Sequence, residues 1–248
     1  LRNEREEYEK FWENFGLQIK FGVYNDYGQH KELLQDLLMF YSSHEKKLVT
    51  LDEYIARMPE DQKYIYFVSG ENVEKIDRMP MVQSVKAKDY EILYLTDNVD
   101  EFALQALSSY KEKQFKNISQ GDLDLASEEE KKEVEQKAEE NKDLLADIKE
   151  ALKDKVQDVK ISTRLVDDPV CMSSDEGMSF EMEKVLSAMP EGNPFGMKAT
   201  RILEINPNHP IFTALQKVYA KDKEAVKEYA DVLYTQAMLQ QLMPIYEP

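Results

Sequence analysis

The chain has 248 residues, with 49 acidic side chains against 32 basic ones, a formal charge of −17 and a mean hydropathy of −0.62. That is enough material for one or two packed cores. The acidity excludes bulk nucleic-acid binding, which needs positive patches, and no apolar run approaches the roughly 18 residues of a membrane span. A single cysteine, Cys171, rules out a disulfide framework or cysteine metal cluster and fits a reducing cytoplasm. An N-terminus at Leu1 without an apolar signal core predicts a cytoplasmic piece of a longer chain.

In chain order, Tyr8, Phe11, Trp12 and Phe15 make an aromatic helix seam over residues 2–15. Gly16 is expected to end that helix, and Leu17, Ile19, Phe21 and Val23 then alternate up to a turn at 25–28. A second amphipathic helix is predicted over 30–41, with Leu33, Leu34, Leu37 and Leu38 on its buried side. Thr50 and Glu53 form a capping box that opens a short helix to about Met58. Residues 63–69 (KYIYFVS) and 90–96 (YEILYLT) read as strands buried on both faces. Helices at 71–78, 81–87 and 99–110 interleave with them, which is the grammar of a small parallel α/β layer.

From Glu128 to Asp143 there are eight acidic and four basic residues, and the stretch reads as a solvated helix face or linker. Beyond it come strands at 156–162, 169–173 and 200–205 and a helix at 178–189. Two closing helices follow, the first capped by Asn208 or His209 and the second spanning about 223–242.

Catalytic signatures are missing. The sequence has no Gly-rich phosphate loop, nucleophile elbow or His-Glu-x-x-His, and His30, His44 and His209 share no ligand spacing. Cys171 sits in an apolar strand, as an inert buried thiol would. What stands out is apolar presentation. Met178, Met182, Val185, Leu186 and Met189 share one arc of the helix at 178–189, a methionine-rich seam that suits either a core or an adaptable binding surface. Val99, Phe102, Ala103, Ala106 and Tyr110 make a second stripe, with core packing as its default reading. The last helix is apolar over too wide an arc for one neighbour: Val226, Tyr229, Leu233 and Ala237 lie beside Tyr234, Met238 and Leu242, so another subunit is its expected second partner.

Residues 11–22 (FWENFGLQIKFG), 50–58 (TLDEYIARM), 62–67 (QKYIYF), 92–97 (ILYLTD), 164–170 (RLVDDPV) and 203–209 (LEINPNH) together resemble the ninety-kilodalton heat-shock chaperones in their bacterial form. The resemblance runs through the whole chain in order. It implies the end of the family's middle domain followed by its carboxy-terminal domain, with the ATPase domain absent. The fold class is then α/β (α+β): a small three-layer αβα segment with a parallel-type sheet, joined to a mixed α+β domain ending in dimerisation helices. The implied divisions are a helical connector (1–43), the αβα segment (44–120), a charged linker or helix start (121–143) and a dimerisation domain (144–248) lacking its last helix.

On that resemblance the chain is no enzyme and holds no cofactor, ATP and Mg belonging to the full-length protein. Its partners are client proteins and a second copy of itself, with no nucleic acid and no membrane. Client contacts map onto Glu101, Phe102 and Gln105, Phe102 standing where the family usually has tryptophan, and onto Met178, Met182, Val185 and Leu186. Dimer contacts map onto Val226, Tyr229, Leu233, Tyr234, Ala237, Met238 and Leu242.

Overall fold

The structure is a computed structural model that describes residues 4–25, 28–189, 193 and 196–241. In chain order it runs α1 (Arg5–Asn25), α2 (Lys31–Leu34), a 3-10 turn (Gln35–Leu37), β1 (Met39–Ser42), β2 (Leu48–Thr50), α3 (Leu51–Arg57), β3 (Ile65–Ser69), α4 (Val73–Asp77), α5 (Pro80–Ala87), β4 (Ile92–Leu95), α6 (Asp100–Leu107), β5 (Ser109–Tyr110) and β6 (Lys113–Asn117). It continues with α7 (Glu128–Glu140), α8 (Lys142–Ala151), β7 (Asp158–Ile161), β8 (Val170–Ser173), α9 (Phe180–Ala188), β9 (Ile202–Ile205), α10 (Pro210–Lys221) and α11 (Val226–Gln240).

The first domain is a six-stranded mixed sheet in the order β2-β1-β4-β3-β6-β5. The three central strands β4, β3 and β6 are parallel, and the flanking pairs are antiparallel. β3 and β4 are apolar on both faces because helices cover both. Trp12, Val23, Ala103 and Leu104 pack with Ile65, Phe67, Leu93 and Leu95 on one face, while Ile76, Met81, Val82 and Val85 pack with Tyr66, Val68, Ile92 and Tyr94 on the other.

The second domain is a three-stranded sheet, β7-β9-β8, with β7 parallel and β8 antiparallel to β9. Its core joins α8, α10 and α11 to the sheet through Leu144, Ile148, Phe212, Leu215, Val226, Leu233 and Ala237. The α/β class expected from the strand–helix alternation is the class observed.

Several element expectations need correction. α1 does not stop at Gly16 but continues to Asn25, so residues 17–23 are helix rather than strand. Gly16 is there because the Trp12 indole lies against its backbone, where a Cβ would come within 2.6 Å of a ring carbon. The expected helix over 30–41 breaks after the 3-10 turn. Leu38 turns extended, Met39 and Phe40 enter β1, and Leu33, expected on a buried side, is 73% exposed. The helix expected to reach Tyr110 ends at Leu107, because Ser108 takes a left-handed φ of 63° that turns the chain into β5.

The charged stretch after residue 127 is an ordered helix. Ser127 and Glu130 close a capping box at its start, and Val134 and Ala138 dock on the second core.

Candidate functional site: a cleft between the domains

The two domains meet where α6 faces the N-terminus of α9. Ser179 is the N-cap of α9, and its Oγ accepts from the Met182 N–H at 3.1 Å. The same hydroxyl donates to Glu101 Oε2 at 2.5 Å. One serine therefore ends a helix of the second domain and binds a carboxylate of the first. Asn117 Nδ2, from the end of β6, donates to Glu101 Oε1 at 3.5 Å, and Gln105 Nε2 lies 3.3 Å from the Met182 sulfur. Glu101 is 6% exposed, and among the described residues its hydrogen-bond partners are neutral groups. Burial raises its carboxyl above the ordinary range; the Ser179 hydroxyl opposes that, while Glu181 and Asp100 add to it.

Beside this junction lies a cleft of about 500 Å³. Phe67 and Phe115, from one face of the sheet, and Tyr64, from the other, line it, and Glu101 and Gln105 stand on the α6 side. Lys116 closes the mouth, with its ammonium 2.5 Å from Glu176 of the loop before α9.

Behind the cleft the domains are stitched by backbone and by one guanidinium. The Gly121 N–H donates to Ser174 O at 2.8 Å, and the Ser174 N–H to Ser119 O at 3.1 Å. Arg164 donates to Ile118 O at 2.8 Å, to Gly121 O, and through Nε at 3.1 Å to Glu204, all in the interior. Burial alone would raise the Glu204 carboxyl. Arg164, Lys160 and the hydroxyls of Ser173 and Ser162 overcome it and hold Glu204 below the ordinary range.

Cys171 is fully buried, and burial next to Glu204 pushes its thiol well above the usual value. His209 caps α10, its Nδ1 accepting from the Ile211 N–H at 3.2 Å. Neither residue faces the cleft.

A two-domain α/β chain with an aromatic-lined interdomain cleft is thus the class that fold and site define. A model of the family described as "Hsp90 protein" matches residues 1–248, and the chain belongs to that family. The Chaperone protein HtpG of Clostridium acetobutylicum is 53% identical over 100% of this chain and 39% of its own length. That of Bacillus subtilis is 49% identical over the same shares, and that of Bacillus velezensis 52% identical over 94% of this chain and 37% of its own. The chain therefore spans about two fifths of the length of these relatives.

Three expectations give way to these matches. The family model runs unbroken from residue 1 to 248, and the relatives align with the chain as a whole. The division that left an ATPase domain out of this chain is therefore withdrawn, and with it the readings of no enzyme and of no ATP or Mg. The interdomain cleft itself is a poor seat for a nucleoside triphosphate. Its buried Glu101 repels phosphate, its Lys116 is engaged by Glu176, and no cluster of three metal-ligating side chains exists among the described residues.

The structure brings the two expected client groups together instead of presenting two separate surfaces. Glu101 and Met182 are buried where the helices meet, and Gln105 is exposed beside them. Phe102, Met178, Val185 and Leu186 are half-buried, and the Phe102 ring lies 5.4 Å from that of Tyr24 on α1. Of the expected dimer residues, Val226, Leu233, Ala237 and Met238 belong to the second domain's own core, with Tyr234 against it. Tyr229 is exposed, and Leu242 lies outside the described residues.

Sequence reasoning missed Ser179, Asn117 and the rings of Tyr64, Phe67 and Phe115 that line the cleft. The serine ahead of a helical run was a visible capping signal, but its second bond, to Glu101, is tertiary. No described helix is long and apolar enough to cross a membrane.

Proposed function

We propose that this chain serves an Hsp90-type chaperone by holding partly folded client polypeptide on an apolar rim beside the interdomain cleft. The rim starts on α1 with the exposed Phe21 and Tyr24, passes to Phe102 on α6, and reappears on α9 as Val185 and Leu186, with the exposed Met189 just past its end. The observation that carries the reading is that α1, α6 and α9 leave aromatic or flexible apolar side chains partly or wholly in contact with solvent. Unbranched methionine and partly exposed rings supply apolar area without a fixed shape. Glu101 and Met182 are buried within the junction, with Gln105 exposed beside them.

The test is suppression of aggregation of a thermally unfolding reporter protein, followed by light scattering. Phe102→Glu combined with Leu186→Glu is expected to abolish suppression while leaving the circular dichroism spectrum intact. Full suppression by the folded double variant rejects the reading.

A second copy of the chain is the proposed partner of α11. Val232 and Leu239 are exposed on the side of that helix turned away from most of the residues in its own core, with the exposed Tyr229 at the boundary. Sedimentation of Val232→Glu is expected to show a lighter species than wild type; identical sedimentation removes α11 as the contact.

A further inference from the structure

We propose that Met189 and Met197 are a methionine oxidation site, where hydroperoxides convert exposed thioethers to sulfoxides, and that the sulfoxide at Met189 weakens the apolar rim's hold on client polypeptide. This rests on the client-holding reading above and adds its regulation.

Burial sorts the sulfur chemistry of the chain. A thiol reacts with peroxide as its thiolate. Cys171 is fully buried, and desolvation, with Glu204 nearby, raises its thiol well above the usual value, so it stays protonated and out of reach. A thioether needs no ionisation, only access to a sulfur lone pair. Among the described methionines, Met189 and Met197 are the exposed ones, at 44% and 45%, and the others are buried or half-buried.

The region of α9 holds both extremes. Met182, in the first turn of that helix, is 7% exposed, and Gln105 Nε2 lies 3.3 Å from its sulfur, so burial and an amide donor both guard the lone pair. Met189 follows the helix as its C-cap, with extended backbone and its N–H donating to Leu186 O at 3.4 Å. Met197 is clamped by Asn193: the Met197 N–H donates to Asn193 Oδ1 at 3.2 Å, and its carbonyl accepts from Asn193 Nδ2. Both residues are fixed through the backbone and still meet solvent.

The step balances between the two reactants. A sulfur lone pair attacks one oxygen of the hydroperoxide, an S–O bond forms as the O–O bond breaks, and the displaced oxygen takes the proton and leaves as water or an alcohol. Sulfur gives up two electrons and the peroxide gains them. The product replaces a flexible apolar side chain with a polar one. Met189 ends the rim on the α9 side, so its sulfoxide removes apolar area there, whereas Met197 lies outside the rim.

The test treats the whole chain with hydrogen peroxide, digests it and weighs each methionine peptide. The Met189 and Met197 peptides are expected to gain one oxygen while those of Met172 and Met182 gain none. Oxidation of Met182 as fast as Met189 overturns the site. Suppression of reporter aggregation is then compared for each chain before and after peroxide. Oxidised wild type is expected to need about fourfold more chain for half suppression, the factor that losing one methylene's burial gives. Methionine sulfoxide reductase should reverse that loss. Met189→Leu should lose nothing on peroxide treatment, and Met197→Leu should lose as much as wild type. A loss in Met189→Leu equal to that of wild type overturns the assignment, as does undiminished suppression by a chain fully oxidised at Met189. In that last case the client-holding reading stands and the inference alone fails. If the untreated chain does not suppress aggregation, the client-holding reading fails and takes the inference with it.

Discussion

Glu101 and Glu204 are both buried glutamates near the domain junction, and they respond to pH in opposite directions. Glu204 is held by Arg164 and two serine hydroxyls and titrates below the ordinary range. Its contribution to stability is present above the unfolded value of about 4.3 and is lost as pH falls through the folded value. Glu101 titrates above the ordinary range, so the folded chain holds its proton more tightly than the unfolded one. Stability from that group is greatest in acid and declines as pH rises through the raised value. Urea unfolding across the pH range separates the two. Glu204→Gln leaves Arg164 buried without its counter-charge and is expected to cost about 3–5 kcal/mol at neutral pH, the gap narrowing in acid. Glu101→Gln is expected to gain on wild type as pH rises. A gap independent of pH in either variant contradicts the assignment for that residue.

At the scale of elements, α1 shows how a sequence pattern misleads. Its inward face carries Trp12, Gly16, Lys20 and Val23, the i, i+4, i+8, i+11 spacing of a helix, but two of the four are not apolar. Gly16 is inside because it makes room for the indole. Lys20 is inside because its ammonium pairs with Asp97 at 2.7 Å and Asp100 at 2.6 Å, over the Phe40 ring. The apolar residues at 17 and 21 were left outside, which produced the false alternation. Where apolar residues do face inward, as in β3, β4 and β7 to β9, the elements were legible. The 39–50 region was misjudged because Leu38, Met39 and Phe40 continue an apolar run that helix and strand share equally. Gly16→Ala tests the packing account. In a helix interior alanine normally gains about 1 kcal/mol over glycine, but here the Cβ meets the Trp12 ring, and a net loss of about 1–3 kcal/mol is expected. Trp12 is the chain's one tryptophan, so its fluorescence should shift with the substitution. A stabilised variant with unchanged emission refutes the close approach.

For the whole molecule, the sequence showed two apolar blocks and a charged stretch between them, yet the domains meet through groups that no periodicity marks. Ser119, Gly121 and Ser174 join by backbone, and Arg164 reaches from the second domain to the carbonyls of Ile118 and Gly121 just after β6 while pairing with Glu204 inside its own. The cleft exists only because this junction fixes α9 against α6, which is why its lining could not be assembled from segments read one at a time. A lysine has one ammonium where Arg164 has a planar fork, so Arg164→Lys can keep the Glu204 pair but not both carbonyl bonds. The chain carries its own reporters for the consequence: its single tryptophan lies in the first core and its single cysteine, fully buried and with a raised thiol pKa, in the second. In the wild-type chain, Trp12 fluorescence and Cys171 alkylation are expected to report one shared unfolding transition in urea, as coupled domains require. In Arg164→Lys, Cys171 should become reactive at a lower urea concentration than the one at which Trp12 emission changes, because the second domain loses both its tether and part of its buried charge network. Coincident transitions in that variant would show that the backbone bridges alone couple the domains.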